Sequence, residues 1–307
     1  MSAASHNPDE AFRQAIAEAG LHPPATVIAD GQLHRFASSG SRRARDGWYT
    51  LHLDGIPSGA FGCWRLGTWE TWCALDTRQL TNAERAEQRH RMVAAAAQRR
   101  EAEAADRARR LRIAERIVDG SGPLPDSPAW HYLEGRGIHP SSLDVLRFSA
   151  AVWHPYERRE IPAMVARIEH PLTRRFQGVH VTFLDGEHKA AVKPTKIMRG
   201  IAREGIVRLA EPTETLALAE GIESALSFAQ LARIPTWAAL SAGNLINVML
   251  PADVREVVIA ADNDERGLAD ARKAGHRWRM EGRRVRIVRP TVAGQDWNDI
   301  LAGGAHG

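Results

Sequence analysis

Between residues 214 and 301, short apolar runs alternate with helical stretches, and this alternation constrains the chain more than any other feature. Residues 215–219, 236–240, 256–261 and 284–288 read as strands, and residues 222–232, 265–281 and 297–301 read as helices. Strands separated by helices predict a parallel α/β sheet that binds ligands at the carboxyl ends of its strands. Acidic residues stand where those strands end. Glu220 and Gly221 follow the first run, Asp262, Asn263 and Asp264 follow the third, and Asp296 and Asp299 bracket Trp297-Asn298 after the last. The predicted strand order brings the three loops to one edge, with the carboxylates within a few ångströms of one another. Such a group cannot stay ionised without a cation. Oxygen ligands with positions left for water and phosphate suit Mg²⁺ or Mn²⁺. Any one of these acids alone could simply cap the helix that follows it, but three strand ends agreeing favours a site.

The rest of the chain divides by composition. Residues 1–79 hold a short helix at 9–20 and then a small antiparallel β unit, with turn signals at Asp54-Gly55 and Ser58-Gly59. Residues 80–120 lack Pro and Gly until Gly120 and read as one long, largely solvated connector helix. Residues 121–211 open with a helix at 128–136 and continue with strands at 163–169, 178–184 and 206–209, a mixed α+β unit. The last domain is 212–307. Lysine usage is informative here, because the chain has only four lysines beside 37 arginines and three of them, Lys189, Lys193 and Lys196, fall within eight residues. That cluster suggests a place where an ammonium is wanted and not merely positive charge.

The set formed by Glu220-Gly221, Asp262-Asn263-Asp264 and a final Asp-rich loop resembles the Toprim domain, which is shared by bacterial-type primases, topoisomerases and some nucleases and recombination proteins. The resemblance implies that Glu220 is an acid/base or metal-binding glutamate, Asp262 and Asp264 a metal-binding pair, and Asp299 and Asp296 further carboxylates. Primase-like Toprim domains usually carry an Asp four residues after the glutamate, where this chain has Ser224, so that Glu223 is the nearest substitute. Upstream, Tyr132 to Ile138 and Leu146-Arg147-Phe148 resemble the opening of a bacterial primase core. Gly178 to Phe183 and Lys193 to Met198 resemble the basic motif ahead of its Toprim domain. By this resemblance Lys193, Lys196 and Arg199 meet nucleotide or template phosphates, and the relatives are primases of phages, plasmids and integrated elements.

The N-terminal part departs from that pattern. Cys63 and Cys73 are the only cysteines, too few for a four-cysteine zinc site or a disulfide framework. In place of a zinc ribbon stands a tryptophan-rich β unit, containing Trp48, with Arg35, Arg42, Arg43, Arg45 and Arg65 interleaved. Aromatic faces there could stack bases while arginines track phosphates, or the tryptophans could fill a small core. Arg283 and Arg284 are a second basic candidate. The formal charge of +4 does not by itself demand a nucleic-acid partner. No run approaches the roughly 18 apolar residues of a membrane span, and the N-terminus has no signal-peptide pattern, so a cytoplasmic protein is expected.

The expected activity is that of a DNA primase, a nucleotidyltransferase using Mg²⁺ or Mn²⁺, single-stranded DNA and nucleoside triphosphates. No Walker A pattern occurs, so any replicative helicase is expected as a separate polypeptide. Two alternatives remain open at this stage. One is a Toprim nuclease with water as the nucleophile, and the other is a non-catalytic single-strand-binding accessory protein.

Overall fold

The computed structural model describes residues 7–41, 44–53, 56–74, 82–139 and 144–304. Arg42, Arg43, Asp54 and Gly55 therefore lie outside the described residues. The chain divides into two compact units, residues 1–106 and 107–307, with the division inside one long helix.

The first unit opens with α1 (Pro8–Glu18), whose N-terminus is capped by the Asn7 side chain. A four-stranded antiparallel meander follows: β1 (His34–Phe36), β2 (Gly47–His52), β3 (Ser58–Cys63) and β4 (Thr68–Cys73). Phe12 and Ile16 of α1 pack with Tyr49, Leu51 and Phe61 to form its core. The Ser58-Gly59 pair lies within β3, contrary to the turn expected there. Gly59 is used for closeness, since a Cβ at this position would stand 2.4 Å from the Thr50 carbonyl oxygen and 2.9 Å from the Phe12 ring.

Helix α2 (Asn82–Asp119) is the long helix that the composition requires. Only its C-terminal end supplies core residues to the second unit, where Ala114, Ile117 and Val118 pack on a sheet. That sheet takes in β5 (Gly122–Pro123), β6 (Leu146–His154), β7 (Arg159–Glu169), β8 (Phe176–Asp185), β9 (His188–Lys189) and β10 (Lys196–Gly200). Its order is β10-β8-β7-β6-β5, antiparallel throughout, with β9 paired to β8. Strand alternation divides its two faces cleanly. Ile161, Ala163 and Val165 of β7 face the α2 side, while Met164, Ala166 and Ile168 face the other. Between β5 and β6 lies α3 (Pro128–Glu134), started by Ser127, which accepts from the Trp130 amide, and by a proline in the first turn.

The remaining elements are β11 (Val207–Arg208), β12 (Thr215–Ala219), α4 (Ile222–Ala232), β13 (Thr236–Ala238), the short α5 (Ala242–Leu245), β14 (Glu256–Ala260), α6 (Glu265–Met280), β15 (Arg284–Val288) and α7 (Trp297–Gly304). They form a five-stranded sheet of order β11-β13-β12-β14-β15, parallel except for the antiparallel edge strand β11. Leu216 and Leu218 of β12 face α6 and Trp278. Ala217 and Ala219 face α4 in a core that continues without interruption into Tyr132, Leu133, Met164 and Ala166. The mixed α+β segment and the parallel-sheet segment are thus packed on one shared core. Among the described residues, no helix is long and apolar enough to cross a membrane.

Candidate active site

The parallel sheet positions its acids by topology. From β12 the chain goes to β13 on one side and then to β14 on the other, so the β12–β14 boundary is the point where strand order reverses. A crevice opens at such a point outside the carboxyl ends of the strands. Glu220 directly follows β12, and its carbonyl accepts the Leu240 amide at 2.8 Å. Asp262 follows β14 by two residues. Burial raises the Asp262 carboxyl, and the charges of Glu220, Asp296 and Asp264 raise it further, to about 6; a hydrogen bond from Ser224 opposes them. The Ser224 hydroxyl donates to Asp262 Oδ1 at 3.3 Å. Three of the other four predicted carboxylates therefore act on Asp262 at this edge.

They are not arranged as a finished cage. Among the described residues, no three His, Cys, Asp or Glu side chains are grouped closely enough to hold a metal ion. Helix capping accounts for the difference. Asp264 is the N-cap of α6 and accepts the Gly267 amide at 2.6 Å. Asp296 Oδ1 accepts the amides of Asn298 and Asp299, and Asp299 Oδ2 accepts the Asp296 amide at 3.0 Å. This reciprocal capping box turns Asp299 toward the backbone, and Asp299 is not among the charges that raise Asp262. The donor set still suits a hard cation. Mg²⁺ binds through one or two carboxylates and keeps several waters for exchange with phosphate oxygens, so it needs no preformed cage. The elevated Asp262 carboxyl is the kind of like-charge conflict that such a cation relieves.

Glu223 does not take the place of the expected Asp. Three residues beyond Glu220, in the first turn of α4, it is buried and already engaged by other partners. Lys196 of β10 donates to its Oε2 at 2.9 Å, Tyr132 of α3 donates to its Oε1 at 2.9 Å, and Lys189 of β9 lies 3.2 Å from the same oxygen. Burial alone would raise the Glu223 carboxyl, but the two ammoniums outweigh it and hold the group well below the usual carboxylate range. Burial, with Glu223 nearby, pushes the Tyr132 phenol upward, so it remains a donor. His180, also buried, is lowered to about 4 by desolvation and by Lys196, and it stays neutral. Sequence spacing did not anticipate Tyr132 or Lys189 as partners of α4; the lysine cluster was the available signal.

The remaining candidates separate. Lys193 is exposed, ahead of Pro194. Lys196 and Arg199 are three apart on β10 and so occupy opposite faces: Lys196 meets Glu223, while Arg199 borders a cavity beside α2. Trp48 is 4% exposed and stacks obliquely on Trp64 at 6.0 Å, so it fills a core and offers no face to a base. Arg65 is tied to Asp46 at 2.9 Å. Arg283 is largely buried and donates to the carbonyls of Val254 and Leu250, bracing the loop before β14. Arg284 is exposed, 3.8 Å from Glu256. Asn298 is a structural residue that the sequence did not flag: its amide nitrogen donates to the Arg136 carbonyl and to Ser227, tying α7 to the core.

Residues 215–306 match the family model of the Toprim domain. This segment is a Toprim domain. Residues 108–209 match a domain of unknown function, DUF7146. The chain is 28% identical over 278 residues to the DNA primase TraC of Escherichia coli, an alignment covering 84% of this chain and 17% of that protein. It thus spans about a sixth of the length of this relative. A solved structure of the DnaG catalytic core covers 63% of this chain and 76% of its own at TM-score 0.47 and 16% identity. The zinc-binding and RNA polymerase domains of the Aquifex aeolicus primase cover 85% of this chain and 76% of theirs at TM-score 0.46 and 15% identity. The Toprim domain is the part of the chain that carries Glu220, Asp262, Asp264, Asp296 and Asp299.

Proposed function

We propose that this protein is a DNA primase that makes short primers on single-stranded DNA by metal-dependent nucleotidyl transfer, in the replication of a mobile element and alongside a separate helicase. The observation that carries the reading is the meeting of Glu220, Asp262, Asp264 and Asp296 at the Toprim switch point, beside two lysines delivered by the adjoining sheet. Both halves rest on one core, so carboxylates and ammoniums keep a fixed relation.

Glu220, Asp262, Asp264 and Asp296 would hold Mg²⁺ or Mn²⁺, with Asp299 positioning Asp296 through the capping box. When bound, the cation supplies charge neutralisation at the α-phosphate and lowers the pKa of a coordinated hydroxyl. In the transfer, a primer 3′-hydroxyl forms a bond to the α-phosphorus of the incoming nucleotide and pyrophosphate leaves. Glu220 and Asp262 cap no helix, and of the two Glu220 would accept the hydroxyl proton. The N-cap of α4 is Gly221, which offers no side-chain cap, and a phosphate oxygen would take that place. Lys189 and Lys196, each about a third exposed, face the triphosphate with their outer donors while Glu223 fixes them from behind. Lys193, exposed on the same segment, adds a mobile point charge.

The test is de novo synthesis on single-stranded DNA with labelled nucleotides and Mg²⁺ or Mn²⁺, comparing the protein with Asp262→Ala. Short products from the unmodified protein alone support the proposal. Loss of template instead of gain of primer identifies a Toprim nuclease, and strand binding without synthesis identifies an accessory protein.

A further inference from the structure

β14 and β15 are parallel neighbours, and the loops that follow them carry Asp262 and Asp264 on one side, Asp296 and Asp299 on the other. Three of these acids are held by their own elements. Asp264 caps α6, while Asp296 and Asp299 cap the start of α7. The relation of one loop to the other depends on a different residue. Among the described residues, three hydrogen bonds join residues 261–264 to residues 289–296, and all three end on Asn263. The Asn263 amide donates to the Gln295 carbonyl at 3.1 Å, and its carbonyl accepts the Gly294 amide at 2.8 Å. Its side-chain Oδ1 accepts from Nη1 of Arg289 at 2.9 Å.

The two backbone bonds can form with any residue at 263. The third requires an acceptor there and a donor at 289. Asn263 is 7% exposed, so its Oδ1 without Arg289 becomes a buried acceptor with no donor, and the loop must move to find one. Arg289 itself is exposed and directly follows β15. It is not among the charges that act on Asp262, so its route to the carboxylates runs through Asn263.

We infer that Arg289 is a positioning residue for the metal site: by holding Asn263 it keeps Asp262 and Asp264 in the relation to Asp296 that lets these loops share a divalent cation. The inference rests on the metal-site reading of the proposed function and adds a residue outside the carboxylate set. Charge alone would act in the opposite direction, because a guanidinium repels a divalent cation and its removal would tighten binding. The sign of the effect therefore separates position from charge.

The experiment is a titration of the metal-free full chain with Mn²⁺ at fixed ionic strength, reading free Mn²⁺ by electron paramagnetic resonance well below the melting temperature. Arg289→Met, which keeps an aliphatic stem and lacks the donor, is expected to weaken Mn²⁺ binding about tenfold, the lower end of what residues that orient metal ligands contribute. Arg289→Ala repeats the measurement, with the same expectation, if the methionine variant folds poorly. Arg289→Lys restores a donor and is expected to recover most of the loss. Asn263→Ala removes the acceptor, so Arg289→Met in that background is expected to have no further effect. In primer synthesis, Arg289→Met should raise the Mn²⁺ concentration for half-maximal rate about tenfold. The nucleotide KM at saturating Mn²⁺ should stay unchanged, since Lys189 and Lys196 keep their partner. A merely destabilised fold would not produce that split. Mn²⁺ binding that is unchanged or tighter in Arg289→Met would overturn the inference, and so would an equal loss in the Asn263→Ala background. Absence of Mn²⁺ binding to the unmodified chain refutes the metal site and this inference with it. Weakened Mn²⁺ binding in Arg289→Met, in a chain that makes no primers, refutes nucleotidyl transfer and leaves the role of Arg289 standing.

Discussion

Replacing Asp262 with asparagine should make the metal-free protein more stable. The carboxyl is pushed from its ordinary 3.8 to about 6, chiefly by burial and then by the charges of Glu220 and Asp296. Taken at full weight, that displacement corresponds to about 3 kcal/mol at 1.36 kcal/mol per tenfold change. The group is part-exposed, and solvent screening reduces the figure to about 1–2 kcal/mol. Its sign follows from the direction of the shift. A folded-state value above the unfolded one means that the ionised carboxylate is disfavoured by folding, so the penalty is absent below pH 3.8, grows as the pH rises from there, and is complete above pH 6. Asparagine removes the charge and keeps an oxygen to accept from Ser224. Thermal unfolding in chelator at pH 7.5 should therefore show a melting temperature about 2–8 °C higher for Asp262→Asn, given about 2–4 °C per kcal/mol in a domain of this size. The gain should vanish by pH 4. Mg²⁺ should raise the melting temperature of the unmodified protein and leave that of Asp262→Asn nearly unchanged. A variant no more stable in chelator, or a gain that persists at pH 4, would refute the like-charge reasoning.

Other expectations follow from the same geometry. Glu223→Gln should cost about 1–3 kcal/mol in urea unfolding, because two part-buried ammoniums lose their counter-charge. Glu223's folded value is depressed, so the stability it contributes is present above the ordinary carboxylate range and lost as pH falls below it; the cost of the substitution should shrink accordingly. The Mg²⁺-induced rise in melting temperature should itself decline between pH 7.5 and pH 5 as Asp262 takes up its proton. Arg283→Ala should destabilise by about 1–3 kcal/mol, since the carbonyls of Val254 and Leu250 lose a buried donor. Arg284→Ala, at the next position but exposed, should change stability by less than about 0.5 kcal/mol.

The parallel sheet was legible because its signal is periodic and local: the short strand-like runs at 215–219, 256–261 and 284–288 coincide with β12, β14 and β15 to within a residue. The placement of acids at strand ends was equally legible, since a strand's carboxyl end is a one-dimensional property. What spacing along the chain does not encode is which way a side chain turns once helices form. The same residue type serves ligand and cap, so spacing gave no sign that Asp264, Asp296 and Asp299 also cap α6 and α7. Lys196 and Arg199 stand close together along the chain, although a separation of three on β10 divides them between faces. Trp48 was a candidate stacking platform, but burial in a small sheet depends on partners such as Trp64 that local alternation does not name. The pairing of Glu223 with Tyr132 joins residues 91 positions apart, and no pattern in a single sequence announces it.

The strand β11 carries a consequence for how the chain divides. The two family models meet in the gap between residues 209 and 215, as though two interchangeable modules had been joined there. Yet β11, from the upstream module, is hydrogen-bonded into the Toprim sheet beside β13, and Val207 and Leu209 are buried in the common core. Glu169, at the end of β7, bridges to Ile206. A swap at residue 212 would strip an edge from one sheet and leave apolar side chains on the other without cover. Exchange of this Toprim domain at that point would therefore cost both segments their packing, so the joint between the two family models is not a boundary between independent folding units.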